Sequence, residues 1–134
     1  MNFRHPVTVR YADTDAQGHV FFANYLTYFD EAVTGYCARV GVDYAALRAL
    51  GVDLVYVDAR CSWSGSIRFG DAVDVGCSFT RFGRTSITAT FEVRTRGETV
   101  ATGTAVLVCT GGEPRQSVPV PKPLMDAVRT FEGG

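Results

Sequence analysis

The spacing of apolar positions changes twice along the chain, and those changes predict its elements. Near the N-terminus Val7, Val9 and Tyr11 alternate with Thr8 and Arg10, the two-residue period of a strand. Ala12 to His19 is polar and contains Gly18, which predicts a loop. From Phe22 to Val40 the period lengthens: Phe22, Tyr25, Leu26, Phe29, Ala32, Val33, Tyr36, Cys37 and Val40 recur at three- and four-residue steps. That spacing predicts one amphipathic helix roughly 27 Å long, at about 1.5 Å per residue. Gly35 within it costs about 1 kcal/mol relative to alanine, and close packing against a strand would account for it. Gly41 marks the helix end. Asp43 is placed to cap a short second helix, Tyr44 to Leu50, which stops at Gly51.

Strand patterns fill most of the remainder. Val52 to Trp63 is rich in β-branched and aromatic residues, Ser64-Gly65-Ser66 interrupts it, and Phe69-Gly70-Asp71 makes a turn. Val73, Val75, Cys77 and Phe79 alternate, as do Ile87, Ala89, Phe91 and Val93, and Val100 to Cys109 forms the last strand. Gly83 and Arg96-Gly97-Glu98 sit at hairpin positions. A tail with Pro119, Pro121 and Pro123 leads into a short helix, Leu124 to Phe131. The order reads as strand, long helix, short helix, then four long strands joined by hairpins, which must pair antiparallel. The long helix has a wide apolar face and no helix of its own length to pack on. The expected class is therefore α+β, a curved antiparallel sheet wrapped around one long central helix. Such a layer leaves one edge open, so pairing with a second copy is expected.

Length and composition narrow the function. A chain of 134 residues suits a single domain spanning 1–134. The formal charge of -1 offers no basic excess for a nucleic-acid backbone. Of 13 basic residues only Lys122 is lysine, a bias that reads first as compositional, although arginine suits phosphate. Cys37, Cys61, Cys77 and Cys109 form no C-x-x-C pair and have no histidine at metal-ligand spacing. They are expected to be reduced and buried, as in a cytoplasmic protein without a structural metal. Met1 to Pro6 lacks the apolar stretch of a signal peptide, and no apolar run is long enough to span a bilayer. Neither a nucleic-acid nor a membrane partner is expected.

Candidate chemistry concentrates in Tyr11-Ala12-Asp13-Thr14-Asp15-Ala16-Gln17-Gly18-His19-Val20-Phe21-Phe22-Ala23-Asn24-Tyr25. Two carboxylates, a glycine turn and a histidine lie directly before a helix start. Backbone N–H groups there are unpaired and carry partial positive charge, so they can hold a phosphate or a developing oxyanion. A carboxylate beside them could attack a carbonyl or activate water while the N–H groups polarise the carbonyl oxygen.

The pattern D-x-D-x-x-G-H-V, followed by a helix carrying N-Y-x-x-Y-F-[DE], resembles the 4-hydroxybenzoyl-CoA thioesterase family of hotdog-fold enzymes, which includes thioesterases encoded beside the Tol-Pal genes. The resemblance covers nearly the whole chain. It implies a hotdog fold, hydrolysis of an acyl- or aroyl-coenzyme A, no cofactor beyond the coenzyme A of the substrate, and a homo-oligomer that is a dimer or a dimer of dimers. By position it implies that Asp15 is the catalytic nucleophile or base and that the Phe22 backbone N–H polarises the thioester carbonyl. Gly18 and His19 match the turn, Asn24 and Tyr25 match positions near the site, and Asp30 matches an acidic position in the central helix. Arg84 falls where a relative has a basic residue against the coenzyme A phosphates. One departure concerns the Tol-Pal subgroup, many of whose members place an arginine where Val33 follows Glu31-Ala32 here.

Each residue also has an ordinary reading. Asp13 and Asp15 suit turns and caps, and Asp13 is read as support for the loop. A lone histidine before a helix more often bonds a neighbouring strand or subunit than acts as a base, so His19 is the weaker catalytic candidate. Asn24 could orient substrate or satisfy loop backbone. Tyr25, Tyr28, Phe29 and Tyr36 are mainly core by their spacing, with some free to line an acyl pocket; Trp63 and Ser64 could reach the site from a neighbouring strand but read first as an ordinary strand end. Arg68, Arg81 and Arg84 read as solvated, with one or two free for a diphosphate. Two rival functions remain: an acyl-thioester dehydratase or hydratase, whose usual motif is missing, and a non-catalytic acyl-CoA-binding module, which the retained Asp15 argues against.

Overall fold

The computed structural model describes residues 1–133. In chain order these form β1 (Arg4–Val7), α1 (Asn24–Val40), α2 (Tyr44–Ala49), β2 (Asp53–Trp63), β3 (Val73–Phe82), β4 (Ser86–Thr95), β5 (Glu98–Gly111), β6 (Gln116–Ser117) and α3 (Lys122–Gly133). The strands make one antiparallel sheet in the order β1-β3-β4-β5-β2, with β6 added to β5. The sheet curls around α1, as the helix's unpartnered apolar face requires.

Alternation sets the core. Val73, Val75, Cys77 and Phe79 of β3, Ile87, Ala89, Phe91 and Val93 of β4, and Ala101, Ala105, Leu107 and Cys109 of β5 are buried. They meet the apolar stripe of α1, where Tyr25, Tyr28, Phe29, Ala32, Val33, Tyr36 and Cys37 are buried. Phe29 stacks flat on Phe91, with centroids 4.2 Å apart and planes 2° apart. Gly103 leaves room for this stack: a Cβ there would lie 2.6 Å from Phe29 Cζ and 2.6 Å from the Arg60 carbonyl oxygen. Gly35 has the role its position suggested, since a Cβ on it would meet His5 Nδ1 at 2.7 Å, so the N-terminal strand crosses α1 closely. At the other end of the chain, Glu132 Oε2 accepts hydrogen bonds from the Tyr36 and Ser78 hydroxyls, each at 2.6 Å, and holds α3 against the core.

Several elements differ from the sequence expectation. The first strand is Arg4–Val7, not Val7 to Tyr11. Tyr11–Asp13 instead forms a single 3-10 turn, because the Asp13 carboxylate reaches back to accept the Arg10 N–H at 3.0 Å. Helix α1 begins at Asn24; Phe21, Phe22 and Ala23 form the turn that feeds it. Hairpins join β3 to β4 and β4 to β5, the second through Arg96 (φ 53) and Gly97 (φ 75), the left-handed pair of a tight two-residue turn. Strand β2 is not hairpinned to β3. It pairs with β5 at the opposite edge, and residues 64–72 carry the chain across. Cys37, Cys77 and Cys109 are buried as expected, whereas Cys61 is only half-buried because it lies on that edge strand.

Strand β2 contains a bulge. Leu54 and Tyr56 pair with the inward-facing Cys109 and Leu107, and after a register shift Ala59, Cys61 and Trp63 pair with Ala105, Gly103 and Ala101. Val57 is the extra residue, so both halves of the strand turn a row of side chains toward α1.

Candidate active site

The start of α1 has no side-chain cap, because the residue at the cap position is Ala23. The N–H groups of Asn24, Tyr25 and Leu26 bond to the carbonyl oxygens of Phe21 (2.9 Å), Phe22 (3.3 Å) and Ala23 (3.1 Å). The N–H groups of Phe22 and Ala23 have no acceptor among the described residues. Two donors at the positive end of a long helix are therefore available to a ligand oxygen. Phe22 is 60% exposed, and the Trp63 ring stands edge-on to it at 5.8 Å.

Asn24, which could have capped the helix locally, braces the preceding loop instead. Its Nδ2 donates to the Asp13 carbonyl oxygen at 2.9 Å, and the Phe21 N–H donates to the same oxygen at 2.8 Å. The side chain of Asp13, a residue only 4% exposed, accepts from the Arg10 N–H (3.0 Å), the Arg10 guanidinium (2.9 Å) and the Tyr28 hydroxyl (2.9 Å). Burial alone would raise the pKa of this carboxyl, but the three hydrogen bonds and the Arg10 charge outweigh it and hold it below the ordinary carboxylate range. Asp13 is thus committed to tying the loop to α1.

Asp15 is committed to much less. It opens a tight turn in which the Gly18 N–H donates to the Asp15 carbonyl oxygen (2.9 Å) and the Asp15 N–H donates to the His19 carbonyl oxygen (2.9 Å). Gly18 takes φ 82, which a side chain would disfavour. The carboxylate is half-buried; Oδ1 accepts the Gln17 N–H at 2.9 Å, and Oδ2 has no partner among the described residues. The far arm of the turn is pinned to the segment after β2, through a bridge between His19 and Arg68 and a bond from the Val20 N–H to the Ile67 carbonyl oxygen (2.8 Å). His19 is half-buried, and its imidazole has no hydrogen-bond partner among the described residues.

Of the other sequence-selected residues, Tyr25 is core, 2% exposed, and edge-on to Trp63 at 6.0 Å. Asp30 is two turns down the helix, where its Oδ1 accepts the Tyr56 hydroxyl at 2.8 Å. Arg84 lies in the β3–β4 turn. The ladder rows running Val75–Val93–Ala101–Trp63 and Phe82–Ile87–Leu107–Tyr56 put that turn at the end of the sheet opposite Trp63. Within one chain, then, Arg84 is not brought to the helix start, whereas Arg68 lies beside Gly18.

A groove runs between α1 and β2. At the helix start a cavity of about 350 Å³ is lined by Phe22, Ala23, Leu26, Ala59, Cys61 and Trp63, among others. A second, of about 380 Å³, follows between Leu26, Phe29, Ala59, Ala105 and Tyr56. The largest, about 580 Å³, lies beyond Asp30 and Tyr56, over Val33, Leu47 and Leu107. Size alone would favour this last cavity, but the unpaired donors are at the other end, and charge stabilisation follows the donors. Asp15 lines none of the three, so a single chain does not bring its carboxylate into the groove. Among the described residues no three His, Cys, Asp or Glu side chains converge on one point. Sequence reading set Trp63 aside as an ordinary strand end and missed the rest of β2: Trp63 lines the groove, and Tyr56, Ala59 and Cys61 join it. The available signal was an alternation that slips by one residue at Val57.

A family model described as the thioesterase-like superfamily matches residues 9–128. A 1,4-dihydroxy-2-naphthoyl-CoA hydrolase from Thermosynechococcus vestitus is 31% identical over 119 residues, which cover 87% of this chain and 82% of that protein. The acyl-CoA thioester hydrolase YbgC of Escherichia coli is 29% identical over 106 residues, 79% of each chain. Among solved structures, a thioesterase from Thermus thermophilus complexed with coenzyme A and zinc superimposes with a TM-score of 0.84 at 30% identity, covering 99% of this chain and 96% of that one.

Proposed function

The chain belongs to the thioesterase-like superfamily, and from that premise we propose that it hydrolyses an acyl- or aroyl-coenzyme A to the free acid and coenzyme A. The observation that carries the siting is the pair of unpaired N–H groups at Phe22 and Ala23, at the same end of the sheet as the pinned turn that leaves Asp15 Oδ2 free.

The thioester carbonyl oxygen accepts the Phe22 N–H, and the helix field stabilises the oxyanion as it forms. One such donor is worth roughly 3 kcal/mol of barrier. Asp15 Oδ2 takes a proton from water as the water oxygen bonds to the acyl carbon. The C–S bond then breaks, and the proton passes to the departing thiolate. Direct attack by Asp15 would break the C–S bond, expel the thiolate and leave an acyl anhydride that water then hydrolyses; one water stands between the carboxylate and the acyl carbon in the first route and none in the second. Gly18 gives the turn its shape, and His19, Tyr25 and Asn24 hold the surroundings of the thioester. Arg84 is the candidate for the coenzyme A phosphates, approached from a second copy of the chain.

Assembly follows from the edge. Strand β2 has eleven residues, one free side, and Val55 and Val57 exposed. Pairing of two such edges makes a dimer, covers the apolar groove and gives Asp15 of one copy access to the helix start of the other. A dimer of dimers is the expected larger assembly. Four free thiols fit a reducing compartment such as the cytoplasm, and among the described residues no helix is long and apolar enough to cross a membrane.

The test is thiol release from a panel of acyl- and aroyl-CoA substrates. Asp15→Asn should lose at least about a thousandfold in kcat while keeping its fold and its affinity for coenzyme A. Turnover within a few-fold of the parent would remove Asp15 from the mechanism. Light scattering should give a dimer or tetramer, and a fully active monomer would refute the shared site.

A further inference from the structure

We infer that the Tyr56–Asp30 hydrogen bond is a bar across the acyl groove that fixes the length of the acyl group accepted, admitting aryl and short to medium chains and stopping long ones. The inference rests on the thioesterase reading above and adds the substrate class that this groove takes.

The three cavities are one lane. Leu26 and Ala59 line both the first and the second, and Asp30 and Tyr56 line both the second and the third. With its carbonyl oxygen on the Phe22 N–H, the acyl group enters at Trp63 and runs along α1 toward Asp30. Ala59 and Ala105 are small and leave the lane its width. Where they end, the Tyr56 hydroxyl reaches across from β2 to Asp30 Oδ1 at 2.8 Å and joins strand to helix. Tyr56 is 38% exposed, so the bond closes the lane where a second copy covers the groove; an alkyl chain then cannot pass without separating the two, and a hydrocarbon offers the carboxylate no replacement donor.

The bulge at Val57 makes this possible. It allows Tyr56 to face the helix together with Ala59, Cys61 and Trp63; a regular strand would turn Asp58 inward instead. From Phe22 to Asp30 is eight residues of chain, roughly 12 Å along the axis. An extended alkyl chain of about 1.5 Å bonds advances about 1.25 Å per carbon, so the lane holds about eight to ten carbons. A one- or two-ring aroyl group also fits that length. Beyond the bar the cavity of about 580 Å³ continues over the apolar Val33, Leu47 and Leu107, so the lane ends because it is barred and not because the space runs out.

The experiment measures kcat/KM for thiol release from benzoyl-, hexanoyl-, octanoyl-, lauroyl- and palmitoyl-CoA by the parent, Tyr56→Ala and Ala59→Leu proteins. The parent should fall at least about tenfold from octanoyl to palmitoyl, the scale on which pockets discriminate alkyl length. Tyr56→Ala should raise the palmitoyl-to-hexanoyl ratio at least about tenfold, because the chain now enters the far cavity. Ala59→Leu narrows the lane before the bar and should lower the octanoyl-to-benzoyl ratio; it carries the test by itself if Tyr56→Ala does not fold. Release of thiol with a parent profile flat to palmitoyl, or with ratios unmoved by the variants, overturns the bar and leaves the thioesterase reading standing. No release from any of the five by the parent overturns that reading and the inference with it.

Discussion

Replacing Tyr28 by phenylalanine takes one hydroxyl from around a buried carboxylate. That hydroxyl, in a side chain 1% exposed, donates to Asp13 Oδ2 at 2.9 Å. Hydrogen bonds to charged groups contribute about 1.5–3 kcal/mol. Two bonds from Arg10 remain on the carboxylate, so the lower half applies and the expected loss is about 2 kcal/mol. In a chain of this size that lowers the melting temperature by about 5–10 °C. Urea denaturation at fixed protomer concentration is the assay, since association would otherwise shift the apparent stability. The sign with pH follows from the depressed pKa of Asp13. Its contribution is fully present above the unfolded value of about 3.9 and is lost as pH falls through the lower folded value. The penalty of Tyr28→Phe should therefore be constant from neutral pH to about 4 and shrink only below that. A double-mutant cycle with Asp13→Asn isolates the pair. A loss under about 0.5 kcal/mol at neutral pH, or an equal loss in the Asp13→Asn background, would refute the argument. Because the Asp13 carbonyl oxygen holds both Asn24 and Phe21, the same variant should also lower kcat by loosening the start of α1.

Gly103→Ala should cost about 2–3 kcal/mol in chemical denaturation, because the new methyl meets the fixed Arg60 carbonyl oxygen on one side and the stacked Phe29 ring on the other; unchanged stability would mean the stack can shift. Burial pushes the Cys37 thiol up to about 12 and the Cys61 and Cys109 thiols up to about 11. All three stay protonated at pH 8, so labelling of the folded protein by a thiol reagent should be slow and led by the half-buried Cys61. Its rate should climb about tenfold per pH unit from pH 7 to 10, and a plateau near the ordinary thiol value of about 8.5 would contradict that environment.

Much of this architecture could be read from residue order. Nine apolar positions at helical spacing defined α1 within two residues, and Arg96-Gly97 marked the tight turn that joins β4 to β5. Alternation, however, reports which face of a strand is buried and not which strand lies beside it. That is why β2 was expected next to β3 and is found beside β5. The 3-10 turn at Tyr11–Asp13 was hidden for a related reason: the apolar Val9 and Tyr11 continue the strand period, and only the Asp13 carboxylate, folding back to Arg10, ends it. At the site, the roles of Gly18 in the turn and Asp13 in the brace followed from residue type. The groove did not, because it depends on one extra residue at Val57 that moves Trp63, Cys61 and Ala59 into phase with Tyr56.

That extra residue also makes pocket depth a stepped quantity. The helix-facing positions of β2 are 54, 56, 59, 61 and 63, and within a regular stretch neighbouring ones lie about 7 Å apart. A bulky side chain can therefore plug the groove at a few rungs and nowhere between them. Homologues or engineered variants that move the plug from Tyr56 to position 59 or 61 would shorten the preferred tail by several methylenes at a stroke. Deleting Val57 would instead swing one half of the strand inside out and leave no graded series at all.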